Sequence, residues 1–271
     1  MPELPEVETV VRGLREPLVG RMAGAVWTDW ERIIDSPPFR QFADRIRGQQ
    51  FRAITRRAKF IVCQLDHDFL IVHLRMTGRL YVVPDDAVQD ADRWLHFGVQ
   101  LDNGTQLRFS DARKFGRVWL TADMETVTGK LGPEPLADDF TLDVLRDGLK
   151  RRSKKIKPLL LDQTFVAGVG NIYADEALHR AKIHPLRRAD ELTDAEIVRL
   201  HEMVRTVLSD GIDYEGASVN WYRKPDGTPG ESQNHLFVYG RDGEACLNCG
   251  TLIEKIRVGQ RGTHFCPNCQ K

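Results

Sequence analysis

The chain has 271 residues, 41% of them hydrophobic, and its 39 lysines and arginines balance 39 aspartates and glutamates. That length suits two domains with cores large enough to need no disulfide staples. No apolar run approaches the ~18 residues of a membrane span and the start lacks a basic-then-apolar leader, which excludes membrane and secreted disulfide-rich classes and makes a cytoplasmic protein the expectation. With zero net charge, any affinity for nucleic acid has to come from local patches.

Residues 3–19 carry Leu4, Val7, Val10, Val11, Leu14 and Leu18, the apolar stripe of a helix, with Pro5 tolerable in its first turn. From about residue 22 to 120 short apolar stretches alternate with turn residues. Strands are predicted at 60–65, 69–74, 80–83, 96–101, 106–109 and 117–120, with Asp102-Asn103-Gly104-Thr105 as a hairpin turn. Residues 1–130 therefore read as a β-sandwich domain. The stretch 129–139, with Gly132-Pro133-Glu134-Pro135, reads as a linker, and the hinge is drawn at 131–145. Helices are predicted at 141–149, 157–163, 171–180 and 193–209, the last opened by a Thr193/Glu196 capping box. Residues 146–237 form a helical domain that includes a long glycine- and proline-rich loop at 216–234. Residues 238–271 form a separate small module.

That module holds Cys246, Cys249, Cys266 and Cys269, two C-x2-C pairs separated by sixteen residues. This spacing reads as four thiolate ligands for one structural zinc ion rather than as two disulfides or a redox pair. A β-hairpin with its turn at 258–262 would hang on the metal. Cys63, alone in an apolar run, reads as an inert core thiol.

Positive charge is segregated. Residues 146–157 hold seven basic residues against Asp147 alone, 52–59 hold Arg52, Arg56, Arg57 and Lys59 with no acid, and 108–117 hold four basic residues against Asp111. One such run would be a solvated face. Several, with Lys255, Arg257 and Arg261 on the zinc hairpin, point to a phosphate backbone as partner. Gly168-Val169-Gly170-Asn171 lacks the marks of a nucleotide-binding loop but opens onto a helix N-terminus, which presents N–H groups to an anion.

The start Pro2-Glu3-Leu4-Pro5-Glu6, together with 57–60, His73-Leu74-Arg75-Met76-Thr77-Gly78, Asp111-Ala112-Arg113-Lys114-Phe115-Gly116, 132–136, 156–158, 168–173 and the four-cysteine hairpin, resembles the bacterial formamidopyrimidine-DNA glycosylases end to end. The resemblance implies an α+β fold: an N-terminal β-sandwich flanked by helices, then a helical domain with a helix–two-turns–helix motif and a zinc-finger β-hairpin. It implies a monomer that acts on double-stranded DNA containing oxidised purines, in the nucleoid. It also implies base excision repair by a bifunctional glycosylase and AP lyase that removes 8-oxoguanine and formamidopyrimidines.

The residue types suit that chemistry. Loss of Met1 would expose the secondary amine of Pro2, whose pKa near ~8 leaves part of it neutral and nucleophilic at pH 7. By resemblance Glu3 is the general acid/base and Glu6 supports it. Lys59 and Arg261 resemble phosphate-contacting residues that also assist elimination, so both count as catalytic. Asn171 and Tyr239 resemble further phosphate contacts, His73 a DNA contact and Lys157 a lysine near the damaged nucleotide. Met76, Arg113 and Phe115 resemble the trio that fills the gap left by a flipped base. The tip of the 216–234 loop offers aromatic faces to that base. Arg75 and Ala112 depart from the glycine and proline common in the family.

Two rivals share parts of this reading. Endonuclease VIII-like glycosylases prefer oxidised pyrimidines, and Leu4 with the long 216–234 loop favours the purine branch. A non-catalytic DNA-damage binder would use only the basic clusters and zinc hairpin, and leaves the Pro2-Glu3 pair unexplained.

Overall fold

The computed structural model describes residues 1–271, which divide into two compact units. The first comprises Met1–Lys130 and Tyr214–Glu231; the second comprises Leu131–Asp213 and Ser232–Lys271. The 214–231 segment thus belongs with the N-terminal unit, whereas the sequence reading placed the 216–234 loop with the helical domain. Its anchors are long-range contacts to the first helix, described below, which local composition does not encode.

The first unit opens with helix α1 (Leu4–Leu18), which buries Leu4, Val7, Val10, Val11, Leu14 and Leu18, the stripe predicted from spacing. Strand β1 (Ala23–Thr28), strand β2 (Ile34–Ser36), helix α2 (Phe39–Ile46) and strand β3 (Ala53–Arg57) follow. None of these four was resolved in the sequence. Next come β4 (Phe60–Gln64), β5 (Phe69–His73), β6 (Gly78–Pro84), β7 (Leu95–Leu101), β8 (Thr105–Asp111), β9 (Arg117–Thr121) and the short helix α3 (Glu125–Thr128). They build two sheets, one ordered β1-β7-β8-β6 and the other β2-β9-β5-β4-β3. Every pairing is antiparallel except β2 with β9. One apolar core takes side chains from both sheets, among them Leu80, Phe97, Phe109, Ile61, Leu70 and Val118, and from α1 and α2. This is the expected sandwich flanked by helices. Each sheet presents one face to a shared apolar layer.

The second unit is helical. It contains α4 (Leu142–Lys150), α5 (Ile156–Leu160), α6 (Asn171–Arg180) and α7 (Asp194–Asp213), then the hairpin β10 (Glu254–Val258) and β11 (Arg261–Phe265). Thr193 and Glu196 cap α7 reciprocally. The Thr193 N–H donates to Glu196 Oε2 at 2.8 Å and the Glu196 N–H donates to Thr193 Oγ1 at 3.3 Å. Helices α6 and α7 touch closely because Gly211 faces the Tyr173 ring; a Cβ there would lie 2.6 Å from a ring carbon. No helix is long and apolar enough to cross a membrane.

Candidate functional site

In the first unit the acids of the N-terminus are buried rather than solvated. Glu3 and Glu6 are 3% and 1% exposed, and Pro2 is also buried. Glu3 precedes α1, and its N–H donates to Glu6 Oε2 at 2.7 Å. The other oxygen, Glu6 Oε1, accepts the Ala217 N–H at 2.7 Å. The neighbouring Gly216 has φ +82°, and a Cβ there would lie 2.9 Å from Glu6 Cγ and from the Tyr222 ring. A glycine is required by both the backbone angle and the space. Glu6 is therefore no surface glutamate placed to complement the helix dipole. It holds the head of α1 to the 214–231 segment.

That segment is also organised from within. The Tyr222 hydroxyl donates to the Glu215 carbonyl at 3.0 Å, and its ring joins the sandwich core. The sequence reading offered both aromatics of the tip outward. Only Trp221, 50% exposed, is so placed, and it meets the Trp94 ring edge-to-face at 5.4 Å.

Lys59 follows Ala58 in the two-residue turn between β3 and β4, where Ala58 has φ +53°. Lys59 is only 4% exposed, which rules out a solvated strand-end lysine. His73, at the end of β5, lies across from Phe60, with the two rings 4.7 Å apart. Burial pushes its imidazole pKa down to about 3, and the charges of Arg75 and Lys59 add to the shift. His73 Nδ1 accepts the Arg75 N–H at 3.0 Å. The neutral ring therefore carries its proton on Nε2 and presents a donor.

Met76 lies in the turn before β6 and is half-buried; Arg113 and Phe115 lie in the turn after β8 and are exposed. The Arg113 guanidinium sits 4.7 Å from the Phe115 ring centroid. Arg75 and Lys114 adopt left-handed backbone, φ +54° and +57°, in these two turns. The departure at position 75 thus places an arginine where glycine carries no steric cost.

In the second unit, Gly168 (φ +92°) turns the chain into α6, as the glycine spacing predicted. Two side chains on α6 then hold the zinc hairpin, and a third holds the segment that leads into the zinc module. Asn171 Nδ2 donates to the Gly262 carbonyl at 3.0 Å. Asp175 Oδ2 accepts the His264 N–H at 2.9 Å. Glu176 accepts the N–H groups of Phe237, Val238 and Tyr239, each at 2.9 Å. Burial raises the Glu176 carboxyl pKa, and the three donors oppose that shift. Asp175 and Glu176 escaped the sequence reading, although their helical spacing from Asn171 puts them on the adjoining turn.

Lys157 is held inside the second unit. Its side chain is fully buried, paired with Asp175 at 2.7 Å, and Nζ donates to Thr263 Oγ1 at 2.7 Å and to the Gly262 carbonyl at 3.1 Å. It fixes the hairpin backbone at Gly262 and Thr263. The place of Arg261 in the hairpin corrects an expectation. The turn is not the five residues 258–262 but Gly259-Gln260 alone, both at positive φ, and Val258 pairs with Arg261. Arg261 opens β11, exposed to solvent, next to the doubly held Gly262 carbonyl. The Tyr239 ring packs edge-on against His264 at 4.9 Å.

The four cysteine sulfurs lie within 4.8 Å of one another. Cys246 and Cys269 are 3.9 Å apart, Cys249 and Cys266 3.5 Å. A regular tetrahedron with Zn–S of about 2.3 Å sets S···S near 3.8 Å, so the cage fits zinc, and it is too wide for disulfides. One structural zinc ion is the group it suits, since four thiolates leave no open position. Cys63 is buried, and burial pushes its thiol up to about 12, consistent with an inert core residue.

Comparison with known proteins agrees with this geometry. Residues 1–118 match the formamidopyrimidine-DNA glycosylase N-terminal domain. Residues 131–222 match the formamidopyrimidine-DNA glycosylase H2TH domain, and 243–271 match the zinc finger found in FPG and IleRS. The chain is 53% identical to a formamidopyrimidine-DNA glycosylase of Herpetosiphon aurantiacus, over the full length of both, and 47% identical to that of Chloroflexus aggregans, covering 98% of it. Its fold is similar to a Lactococcus lactis FPG (MutM) solved with a Fapy-dG containing DNA (TM-score 0.91, 39% identity, 99% of this chain and 100% of that one). It is similar as well to MutM solved with carbocyclic 8-oxo-G containing DNA (TM-score 0.92, 39% identity, all of both chains). The fold and site define a DNA glycosylase architecture. The chain belongs to the formamidopyrimidine-DNA glycosylase family.

Proposed function

We propose that this chain is a bifunctional DNA glycosylase and AP lyase of base excision repair, acting in the bacterial cytoplasm on 8-oxoguanine and formamidopyrimidines in duplex DNA. The observation that carries this reading is the buried Glu3 carboxyl adjoining Pro2 at the head of α1, in a chain whose full-length relatives bear that family name.

After loss of Met1, the neutral amine of Pro2 attacks C1′ of the damaged nucleoside. The bond to the base breaks, and the base leaves with its electron pair and takes up the proton that the Pro2 nitrogen sheds on bonding to C1′. Glu3 protonates the sugar ring oxygen, which opens the ring and leaves an iminium ion between Pro2 and C1′. Loss of a C2′ proton then expels the 3′ phosphate, and a second elimination expels the 5′ phosphate. Pro2 suits this route because a secondary amine gives an iminium with no further N–H to lose. Lys59, Arg261 and Asn171 would hold the phosphates, and Met76, Arg113 and Phe115 would fill the vacated stack.

Borohydride reduction during turnover should leave DNA covalently attached to Pro2. An adduct mapped to an internal lysine such as Lys59 would overturn the nucleophile assignment. Base release without strand scission would remove the lyase half.

A further inference from the structure

Asp111, the last residue of β8, is fully buried and is the meeting point of two turns. Its Oδ2 accepts the N–H groups of Phe115 and Gly116 at 2.8 and 2.7 Å. Its Oδ1 accepts the Arg113 N–H at 3.2 Å and the hydroxyl of Thr77 in a short hydrogen bond. Thr77 Oγ1 in turn accepts the Arg113 N–H at 3.1 Å. One carboxylate therefore ties the turn carrying Arg75 and Met76 to the turn carrying Arg113 and Phe115.

The two turns also share a floor. Gly78 pairs with Asp111 across β6 and β8, and a Cβ on Gly78 would lie 2.7 Å from the Phe109 ring. A Cβ on Gly116 would strike the same ring. Neither turn can settle lower, and neither can lift without breaking bonds to Asp111. Met76 and Phe115 lie on separate strand connections, but their turns are bonded to one carboxylate.

We infer that Asp111 is a positioning residue: it joins the Met76 and Phe115 turns into a single wedge that enters the duplex as one body. This rests on the function proposed above, because it needs those side chains to replace a flipped base. A wedge of two independently mobile turns would lose ordering entropy on insertion, whereas a pre-joined one has lost it on folding. The carboxylate matters for chemistry only where a partner strand must be held open.

The test compares two substrates. Asp111→Asn puts an amide N–H₂ where two oxygens now each accept N–H groups, so at least one turn loses its hold whichever way the amide faces. Excision of 8-oxoguanine from a duplex should fall by about tenfold or more, toward the roughly hundredfold that a 1 Å misplacement can cost. The spread of excision rates across the four bases placed opposite 8-oxoguanine should narrow. Borohydride trapping on a single-stranded abasic oligonucleotide should stay within about twofold of the parent protein, because no orphaned base has to be replaced there. Thr77→Val cuts only the link between the turns, leaves Asp111 on Phe115 and Gly116, and should shift both duplex readouts the same way by less. It decides the matter if Asp111→Asn does not fold. Equal losses on both substrates would make Asp111 merely structural, and an undiminished duplex rate with unchanged opposite-base preference would also overturn the inference. If the parent protein itself excises nothing, the proposed function fails instead.

Discussion

Glu6 and Ala217 stand 211 positions apart in the chain, yet a 2.7 Å hydrogen bond joins the carboxylate of one to the backbone N–H of the other. The same carboxylate holds the N–H of Glu3. The residue next to the proposed nucleophile and the segment proposed to cover the lesion are thus referred to one buried acid. Order in the 214–231 segment and order at the head of α1 become a single property.

Glu6→Gln tests that linkage. The amide keeps one acceptor and turns a donor toward the other N–H, which leaves a buried donor unsatisfied at about 1–3 kcal/mol. Amide hydrogen exchange should quicken at Ala217 and across 214–231, and excision should slow. Unchanged exchange in that segment would mean that Glu6 does not hold it.

The pH dependence of stability has a definite sign at His73. Its pKa in the folded protein is lowered from 6.5 to about 3, so the folded state excludes a proton that the unfolded state binds. Its contribution is complete above pH 6.5 and is lost as pH falls from 6.5 toward 3, by about 1.4 kcal/mol per pH unit. Urea unfolding at stepped pH should show this slope, and His73→Gln should flatten it by up to one proton. An identical slope in the variant would place the acid sensitivity elsewhere.

The zinc module should depend wholly on its metal. Removing one ligand, for instance by Cys266→Ser, takes a thiolate from a closed cage and leaves the hairpin without its clasp. Metal analysis should find one zinc per chain in the parent protein. The variant should lose duplex binding, with its hairpin amides unprotected in hydrogen exchange. An active parent protein without zinc would refute the assignment.

Much of this architecture could be read from local pattern. The α1 stripe, the strands from β4 to β9, the α7 capping box and the four-cysteine cage all have short-range signatures. The missed elements are those whose partners lie far along the chain. Strand β1, Ala23-Gly24-Ala25-Val26-Trp27-Thr28, does not alternate apolar with polar residue types and leaves Trp27 facing outward, and α2 buries only Phe42 and Ile46 among charged residues. Lys157 looked like one more member of a basic run, because its partners Asp175, Gly262 and Thr263 arrive only through folding. Tyr222 looked like a loop aromatic until the sandwich core closed around it. Arg261 was placed at a turn tip because the pairing of Val258 with Arg261 cannot be read from composition.

That placement sharpens the expectation for Arg261. A strand-opening arginine beside a carbonyl held by both Asn171 and Lys157 has a fixed backbone and a free, exposed guanidinium, the arrangement suited to forking two phosphate oxygens. Arg261→Ala should weaken binding to lesion-bearing and undamaged duplexes by similar factors, and the salt slope of log K should shrink by about one phosphate contact. Lys157→Met removes no exposed charge but releases the Gly262 carbonyl and leaves Asp175 buried without its ammonium. It should therefore destabilise the hairpin by several kcal/mol, as breaking a buried pair does. Because Arg261 itself is retained, the salt slope of the folded fraction should fall less than in Arg261→Ala. Salt titrations of both variants on both duplexes separate a backbone clamp from its support. A selective loss on the lesion duplex in Arg261→Ala, or a salt slope equal to that of the parent protein, would show that this arginine does not grip the backbone.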